Sequence, residues 1–245
     1  MLKLIICGIN GTMGSHLYNC ALKRGYEIIC GIDKITVGKT DCPVYNDFDQ
    51  IKEFANVIVD FSSPSALCEL LNYATKNKLP LVLCTTGYTH EQEEKIKSAS
   101  LEIPIFKSAN TSFGVHVLLK LCKIATSLLH GYDIEIIEKH HKNKKDSPSG
   151  TANLIFNSIH EALPYSTPLC KMNEKSKCFS KEIGIHSIRG GSTVGEHSIL
   201  FMGEHDSITI THEATNKELF AKGALLACDF IKNKQSGLYN MNDLV

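Results

Sequence analysis

Along the first hundred residues, short apolar runs alternate with longer stretches of helical spacing. Residues 2–7 are apolar except for Lys3, the pattern of a strand buried on both faces of a parallel sheet. A glycine-containing turn over 8–14 leads into a helical stretch that runs to about Arg24 and stops at Gly25. Further strands are predicted over 26–32, ending at Asp33, and over 56–61, 81–84 and 103–106. Ser63-Pro64 reads as an N-cap and first-turn proline for a helix to about Asn77, and Thr89-x-x-Gln92 as a capping box for the next helix. Strand, helix and strand repeated with short connections predict an α/β doubly wound parallel sheet.

The pattern changes near residue 111. A helix carrying Val115, Leu118, Leu119, Cys122 and Ala125 precedes a strand over 133–138, then a polar Lys/His loop and a helix over 149–163 stopped by Pro164. Strand-like segments follow over 183–189, 196–202 and 207–212, so this second part is expected to be an antiparallel α+β unit. Segment 171–181, rich in Lys and Ser, reads as an exposed loop. A last helix over 218–232 offers Leu219, Phe220, Ala224, Leu225 and Cys228 for packing, and periodicity does not say against which domain. The expected division is a dinucleotide-binding domain over 1–111, completed by 216–245, and a substrate-binding and oligomerisation domain over 112–215.

Composition narrows the function. At 245 residues and 43% hydrophobic, the chain is long enough for real cores. Its formal net charge is 0, and only Arg24 and Arg189 of its 26 basic residues are arginines, so no nucleic-acid partner is expected. The ten cysteines form no CxxC and no short Cys/His cluster, so no metal site is expected and a reducing, cytoplasmic setting is. The opening residues are too short an apolar run for a signal peptide, and no stretch approaches the roughly 18 to 20 apolar residues that cross a bilayer.

Candidate chemistry lies in two places. Gly8-Ile9-Asn10-Gly11-Thr12-Met13-Gly14 falls between a predicted strand and helix, where glycines let a backbone approach a pyrophosphate and the helix N-terminus binds its charge. Asn10 stands where the usual fingerprint has its second glycine. Asp33 ends the next strand, where a carboxylate accepts from ribose hydroxyls; Lys34 beside it is able to pair with a 2′-phosphate, so NADH and NADPH both stay open. Thr85-Thr86-Gly87 and Ser108-Ala109-Asn110-Thr111 fall at the same sheet edge. The second place is 138–152, where four lysines and two histidines within 139–145 precede the helix-opening Pro148, Ser149, Gly150 and Thr151. On charge alone this is a solvated basic loop; with the helix start it becomes a second anion site, suited to a small dicarboxylate.

At this segment the chain resembles the 4-hydroxy-tetrahydrodipicolinate reductase (dihydrodipicolinate reductase) family of lysine biosynthesis. Glu138, His140, His141, Lys144, Asp146, Pro148, Ser149, Gly150, Thr151 and Ala152 match its signature, and the blocks around Gly8, Thr85, Asn110, Arg189 and Val194 follow in the family's order. The resemblance implies a Rossmann-type domain, a substrate domain with an open mixed sheet, and a homotetramer built through those sheets. It implies reduction of a cyclic imine dicarboxylate by hydride from NADH or NADPH to C4. Carried over by position, His140 is the proton donor or acceptor, Lys144 the proton donor, and His141, Gly150 and Thr151 bind substrate. Gly8, Ile9, Asn10, Gly11, Thr12, Met13, Asp33, Lys34, Cys84, Thr85, Thr86, Ser108, Ala109, Asn110 and Thr111 fall on cofactor positions. Thr12, Cys84, Thr111 and Lys217 depart from the residues usual there. A nucleotide-sensing regulator and an amino-acid dehydrogenase such as aspartate dehydrogenase are the alternatives; neither explains 144–151. Arg189 is placed either to reach a substrate carboxylate or to form a structural ion pair.

Overall fold

A computed structural model describes residues 1–37, 40–169 and 182–244. The chain divides into two compact units, Met1–Phe113 with Lys217–Val245, and Gly114–Asn216. The expected loop over 171–181 lies outside the described residues.

The first unit holds strands β1 (Lys3–Cys7), β2 (Glu27–Ile32), β3 (Val44–Tyr45), β4 (Val57–Asp60), β5 (Leu81–Leu83), β6 (Pro104–Lys107) and β12 (Gly237–Tyr239). They form one parallel sheet in the order β12-β6-β5-β4-β1-β2-β3. Helices α1 (Thr12–Lys23) and α6 (Glu218–Ile231) cover one face; α2 (Leu67–Lys76) and α3 (His90–Ser100) cover the other. The continuous apolar run of β1 follows from this sandwich: Leu4 and Ile6 enter one core cluster, Ile5 and Cys7 the other. Strand order reverses at β1, with β2 on one side and β4 on the other, so the carboxyl ends of β1 and β4 flank the crevice where doubly wound sheets take ligands.

The last helix belongs to this unit. It packs on α1, and Gly223 lets it also approach the 108–111 loop, since a Cβ there would lie 1.6 Å from the Thr111 carbonyl oxygen. The capping box at Thr89 and Gln92 forms as expected. The helix expected from Ser63 differs: a 3-10 turn over Pro64–Ala66 precedes α2, and the Ser63 side chain caps nothing because its hydroxyl pairs with that of Ser65 at 2.8 Å. Strands β3 and β12, at two and three residues, are too short to show a period.

The second unit contains α4 (Phe113–Leu128), which begins at the unit boundary, then β7 (Asp133–His140), α5 (Gly150–Ala162), β8 (Thr167–Leu169), β9 (Glu182–Arg189), β10 (Gly195–Met202) and β11 (Ser207–Ala214). The sheet order is β11-β10-β7-β9-β8. This is the mixed sheet that the resemblance implies and corrects the antiparallel reading of the strand pattern: β10 runs antiparallel to β7 and β11, but β9 runs parallel to β7 and β8. The chain crosses over through α5 to β8, which therefore runs parallel to β7, and β9 lies between the two, parallel to both. Leu118 and Cys122 of α4 and Ala152, Ile155 and Ile159 of α5 pack on Ile134, Ile136, Ile183, Ile185, Ile199 and Phe201 of the sheet. Strict alternation along β7 puts Glu138 and His140 on the same covered side as Ile134 and Ile136. Among the described residues no helix is long and apolar enough to cross a membrane.

Candidate active site

In the first unit the glycine turn is tight enough to exclude side chains. Gly8 has φ +76°, and a Cβ there would lie 2.6 Å from the Phe61 carbonyl oxygen; one at Gly14 would lie 2.0 Å from the Gly8 carbonyl oxygen. Gly11 is the N-cap of α1, with no capping side chain and no acidic residue in the first turn, which leaves the positive end of the helix open to an anion. Asp33 Oδ2 accepts from the Asn10 N–H at 3.0 Å, and Asn10 Nδ2 donates to the Ile35 carbonyl at 2.6 Å. Gly8, Asn10, Gly11, Asp33 and Lys34 line one cavity of about 580 Å³, with Glu69 among its other walls. This cradle, helix terminus and strand-end carboxylate fit a dinucleotide.

Met13, Cys84, Ser108, Ala109 and Thr111 line a second cavity of about 300 Å³, joined by Lys217 and Phe220. Thr85, Thr86, Ser108 and Ala109 line a third, of about 280 Å³. The 108–111 loop braces itself: Ser108 Oγ donates to the Asn110 carbonyl at 2.6 Å, and Thr111 Oγ1 to the Phe220 carbonyl at 2.7 Å. Two expected residues are placed differently from the rest. Ile9 is fully buried in the core, against Gly31, so only its backbone faces the turn. Thr12 is exposed in the first turn of α1. Burial also pushes the Cys84 thiol well up, so it is no thiolate.

In the second unit the centre is Glu138, fully buried. Its Oε2 lies 2.5 Å from His140 Nδ1, and both of its oxygens accept from Arg189, Nη1 at 2.8 Å and Nη2 at 2.6 Å. Ser187 Oγ at 2.6 Å and the Ser149 N–H at 3.2 Å complete the set. Burial pushes the Glu138 carboxyl up, but the bonds from Arg189, Ser187 and His140 outweigh it and hold it at about 2. Glu138 therefore accepts the Nδ1 proton of His140 and leaves Nε2 as the reactive nitrogen. Burial lowers the His140 pKa, against the opposing pull of Glu138. Arg189 also donates to the Asp146 carbonyl at 2.8 Å, so its guanidinium is a structural partner of Glu138 rather than a substrate clamp.

The signature loop then turns toward α5. His141 N–H donates to the Thr193 carbonyl at 2.8 Å, and His141 Nδ1 is buried without a hydrogen-bond partner among the described residues. Lys144 Nζ lies 2.8 Å from Asp146 Oδ1, and that bond holds the Asp146 carboxyl below its ordinary range, with a further pull from the Gly150 backbone. Ser149 is the N-cap of α5: its Oγ accepts from the Ala152 N–H at 3.1 Å and lies 3.0 Å from His197 Nε2. Thus His140, His141, Lys144, Gly150 and Thr151 come together on one unit.

Sequence reasoning gave no role to His197. It is buried, its ring meets that of His140 edge to face at 5.2 Å, and burial, then the charge of His140, lowers its pKa to about 4. The available signal was its place at the end of the family block 194–197; its position opposite Glu138 across the β7–β10 pair emerges only in the fold. Phe61 and Phe220 were missed as cavity walls because both read as core. Among the described residues no group of His, Cys, Asp and Glu is arranged to hold a metal ion.

Family models for the N-terminus and the C-terminus of dihydrodipicolinate reductase match residues 2–111 and 114–245. A 4-hydroxy-tetrahydrodipicolinate reductase of Caldanaerobacter subterraneus is 45% identical over 250 residues, covering 100% of this chain and 98% of that protein. Its counterpart in Clostridium tetani is 45% identical over 245 residues, covering 99% and 96%. Among solved structures, a dipicolinate-bound dihydrodipicolinate reductase from Paenisporosarcina sp. superposes with TM-score 0.83 at 23% identity, covering 100% of both chains. An aspartate dehydrogenase from Thermotoga maritima reaches 0.53 at 13% identity, covering 96% and 98%, a likeness of fold alone. The Rossmann-like sheet of the first unit and these reductase relatives imply a nicotinamide cofactor. With both of its halves matched in order and full-length relatives at this identity, the chain belongs to the dihydrodipicolinate reductase family of oxidoreductases.

Proposed function

We propose that this protein reduces 4-hydroxy-tetrahydrodipicolinate to tetrahydrodipicolinate in the diaminopimelate route to lysine. The observation that carries this reading is the placement of the oriented Glu138–His140 pair with Lys144 beside the capped N-terminus of α5. A ring dicarboxylate calls for cations and N–H groups: the Gly150 and Thr151 backbone, the buried Nδ1 of His141 and the Lys144 ammonium supply them. Asp146 yields Lys144 when a substrate carboxylate arrives.

A bound reduced nicotinamide supplies hydride to C4 of the substrate. In the hydroxylated form water leaves first. The electron pair then rests on an enamine, whose developing negative charge Lys144 offsets, and a proton is delivered to the neighbouring carbon. Lys144 gives that proton, while His140, through Nε2, takes and returns protons with its ring held by Glu138. Gly8 to Met13, Asp33, Cys84 to Thr86 and Ser108 to Thr111 hold the dinucleotide.

NADH is the preferred donor over NADPH. Among the described residues, Asp33 and Glu69 share the adenosine-side cavity with one cation, Lys34, and a 2′-phosphate would meet two carboxylates. The assembly is a homotetramer joined through the uncovered face of the second sheet. There Ile137, Ile188, Leu200 and Met202 alternate with the ion pairs Lys139–Glu196 and Glu135–His186. The setting is cytoplasmic, in keeping with eight free cysteines among the described residues. A spectrophotometric assay tests the activity: oxidation of NADH and of NADPH by freshly generated 4-hydroxy-tetrahydrodipicolinate, beside oxaloacetate plus ammonia. Oxidation is expected with the first, faster with NADH, and none with the second. Oxidation with oxaloacetate plus ammonia alone would overturn the reading.

A further inference from the structure

Asp60 ends β4 and is 1% exposed, the one carboxylate in an otherwise apolar strand. Its partners are N–H and O–H groups rather than a cation. Oδ1 accepts from the Ser62 N–H at 3.0 Å and from Ser62 Oγ at 2.5 Å, and Oδ2 from Tyr88 Oη at 3.3 Å. Burial pushes its carboxyl up, and the bonds from Ser62 and Tyr88 pull it back. A buried carboxylate without a cation is expensive, and it persists where several donors converge on it.

The donors come from two different loops. Ser62 lies in the loop after β4 and Tyr88 in the loop after β5, and both loops contribute walls to the dinucleotide site. Between Asp60 and Ser62 stands Phe61, which lines both the adenosine-side cavity and the second cavity with Met13 and Cys84. The backbone of the same turn closes on the glycine loop: Phe61 N–H donates to the Cys7 carbonyl at 3.0 Å, and Phe61 O stands against Gly8. The Asp60 carboxylate thus sets the height of the turn that divides the two halves of the site, and the spacing of that turn from the loop carrying Thr85.

We propose that Asp60 is a positioning residue for the dinucleotide: it anchors the Phe61 turn that separates the adenosine half from the nicotinamide half and holds both halves at the separation the cofactor spans. The proposal rests on the dinucleotide reading of this unit. An anchor of the division between halves matters most to a ligand that occupies both, and least to one that stops at the pyrophosphate and its ribose.

The test is equilibrium binding of NADH, by its fluorescence, and of ADP-ribose, by calorimetry, to the full chain and to Asp60→Asn. The amide places an N–H where an acceptor oxygen stood: the Ser62 N–H keeps the remaining oxygen, Tyr88 Oη must turn to accept, and the charge on which the donors converge is lost. NADH affinity is expected to fall about tenfold and ADP-ribose affinity by less than about threefold. Tyr88→Phe with Ser62→Ala removes the two hydroxyl donors and leaves the carboxylate with the Ser62 N–H; it is expected to show the same split, and it answers the question if Asp60→Asn does not fold. Equal loss of both ligands in the variants would mean a merely structural residue and would overturn the proposal. So would unchanged NADH affinity. Failure of the unsubstituted chain to bind NADH would remove the dinucleotide reading itself, and the proposal with it.

Discussion

The two units offer their proposed ligands different means of recognition. In the first, the expected contacts are backbone: a glycine turn, the open N-terminus of α1, loops braced by their own hydroxyls. Side-chain charge is sparse: Asp33 and Asp60 fix loops, and Asp33 also lines the adenosine-side cavity with Lys34 and Glu69. In the second, the centre is a charged network in which one buried carboxylate holds an arginine, a serine, a helix N-terminus and an imidazole. A dinucleotide is recognised by shape along its length, whereas a small reacting ring needs cations and a proton donor at fixed points. Substitutions in the first unit should therefore act on affinity through sterics, and those in the second on turnover through charge.

The sharpest separation is expected at Lys144 and His140. Lys144→Ala and His140→Ala should each lower kcat by about 10²- to 10⁴-fold while NADH affinity, read by fluorescence, stays within about twofold. Near-normal turnover in both would end the assignment of chemistry to this unit. The converse break is Gly14→Ala. Its Cβ would lie 2.0 Å from the Gly8 carbonyl oxygen, backbone that cannot swing aside, so NADH affinity should fall by about 100-fold or more. In that variant the proposed dicarboxylate site of the second unit should be untouched, so calorimetry with dipicolinate as probe should read the same as for the unsubstituted chain.

A smaller effect tests the network. Glu138→Gln keeps the shape but removes the charge that Arg189 faces. It should lower the melting temperature and reduce kcat about tenfold, with the acidic limb of the pH–rate profile displaced because His140 loses the partner that favours its charged form.

The smallest is a matter of acid stability. The buried His197 ring takes a proton only near pH 4, against an ordinary value of 6.5, so the unfolded chain binds that proton first. Its contribution is present in full above pH 6.5 and is lost as pH falls to about 4. Glu138, held at about 2 against 4.5, gives a second loss between those values. Denaturant melts across this range should show both losses, and His197→Gln should shrink the first, to which His140 and His212, both lowered by burial, also contribute, and leave the second.

What could be read from the chain beforehand was what is local. The apolar run 2–7, the glycine turn and the capping box at Thr89 each depend on residues a few positions apart, and all three stand in the fold as expected. The signature residues from Glu138 to Thr151 lie close in space because they lie close in sequence. Long-range pairing was not legible. Arg189 meets Glu138 across 51 positions, and nothing near either residue distinguishes a partner for buried charge from a substrate clamp. The parallel pairing of β9 with β7 depends on which edge the chain rejoins after α5, which the order of helices and strands leaves open. Ile9 looked like part of the phosphate turn by position, and its side chain faces the core because the turn points its carbonyls and N–H groups the other way. Asp60 carried one faint signal, a lone carboxylate closing an apolar strand.

The central claim, that reduced nicotinamide held by this chain delivers hydride to C4 of a ring dicarboxylate, is tested most directly by isotope transfer. NADH carrying deuterium at its transferable position is consumed with freshly generated 4-hydroxy-tetrahydrodipicolinate, and the product is read by mass spectrometry and NMR. One deuterium per molecule at ring C4 is the predicted result. Oxidised cofactor with no deuterium in the product, or with deuterium at another ring carbon, would contradict it.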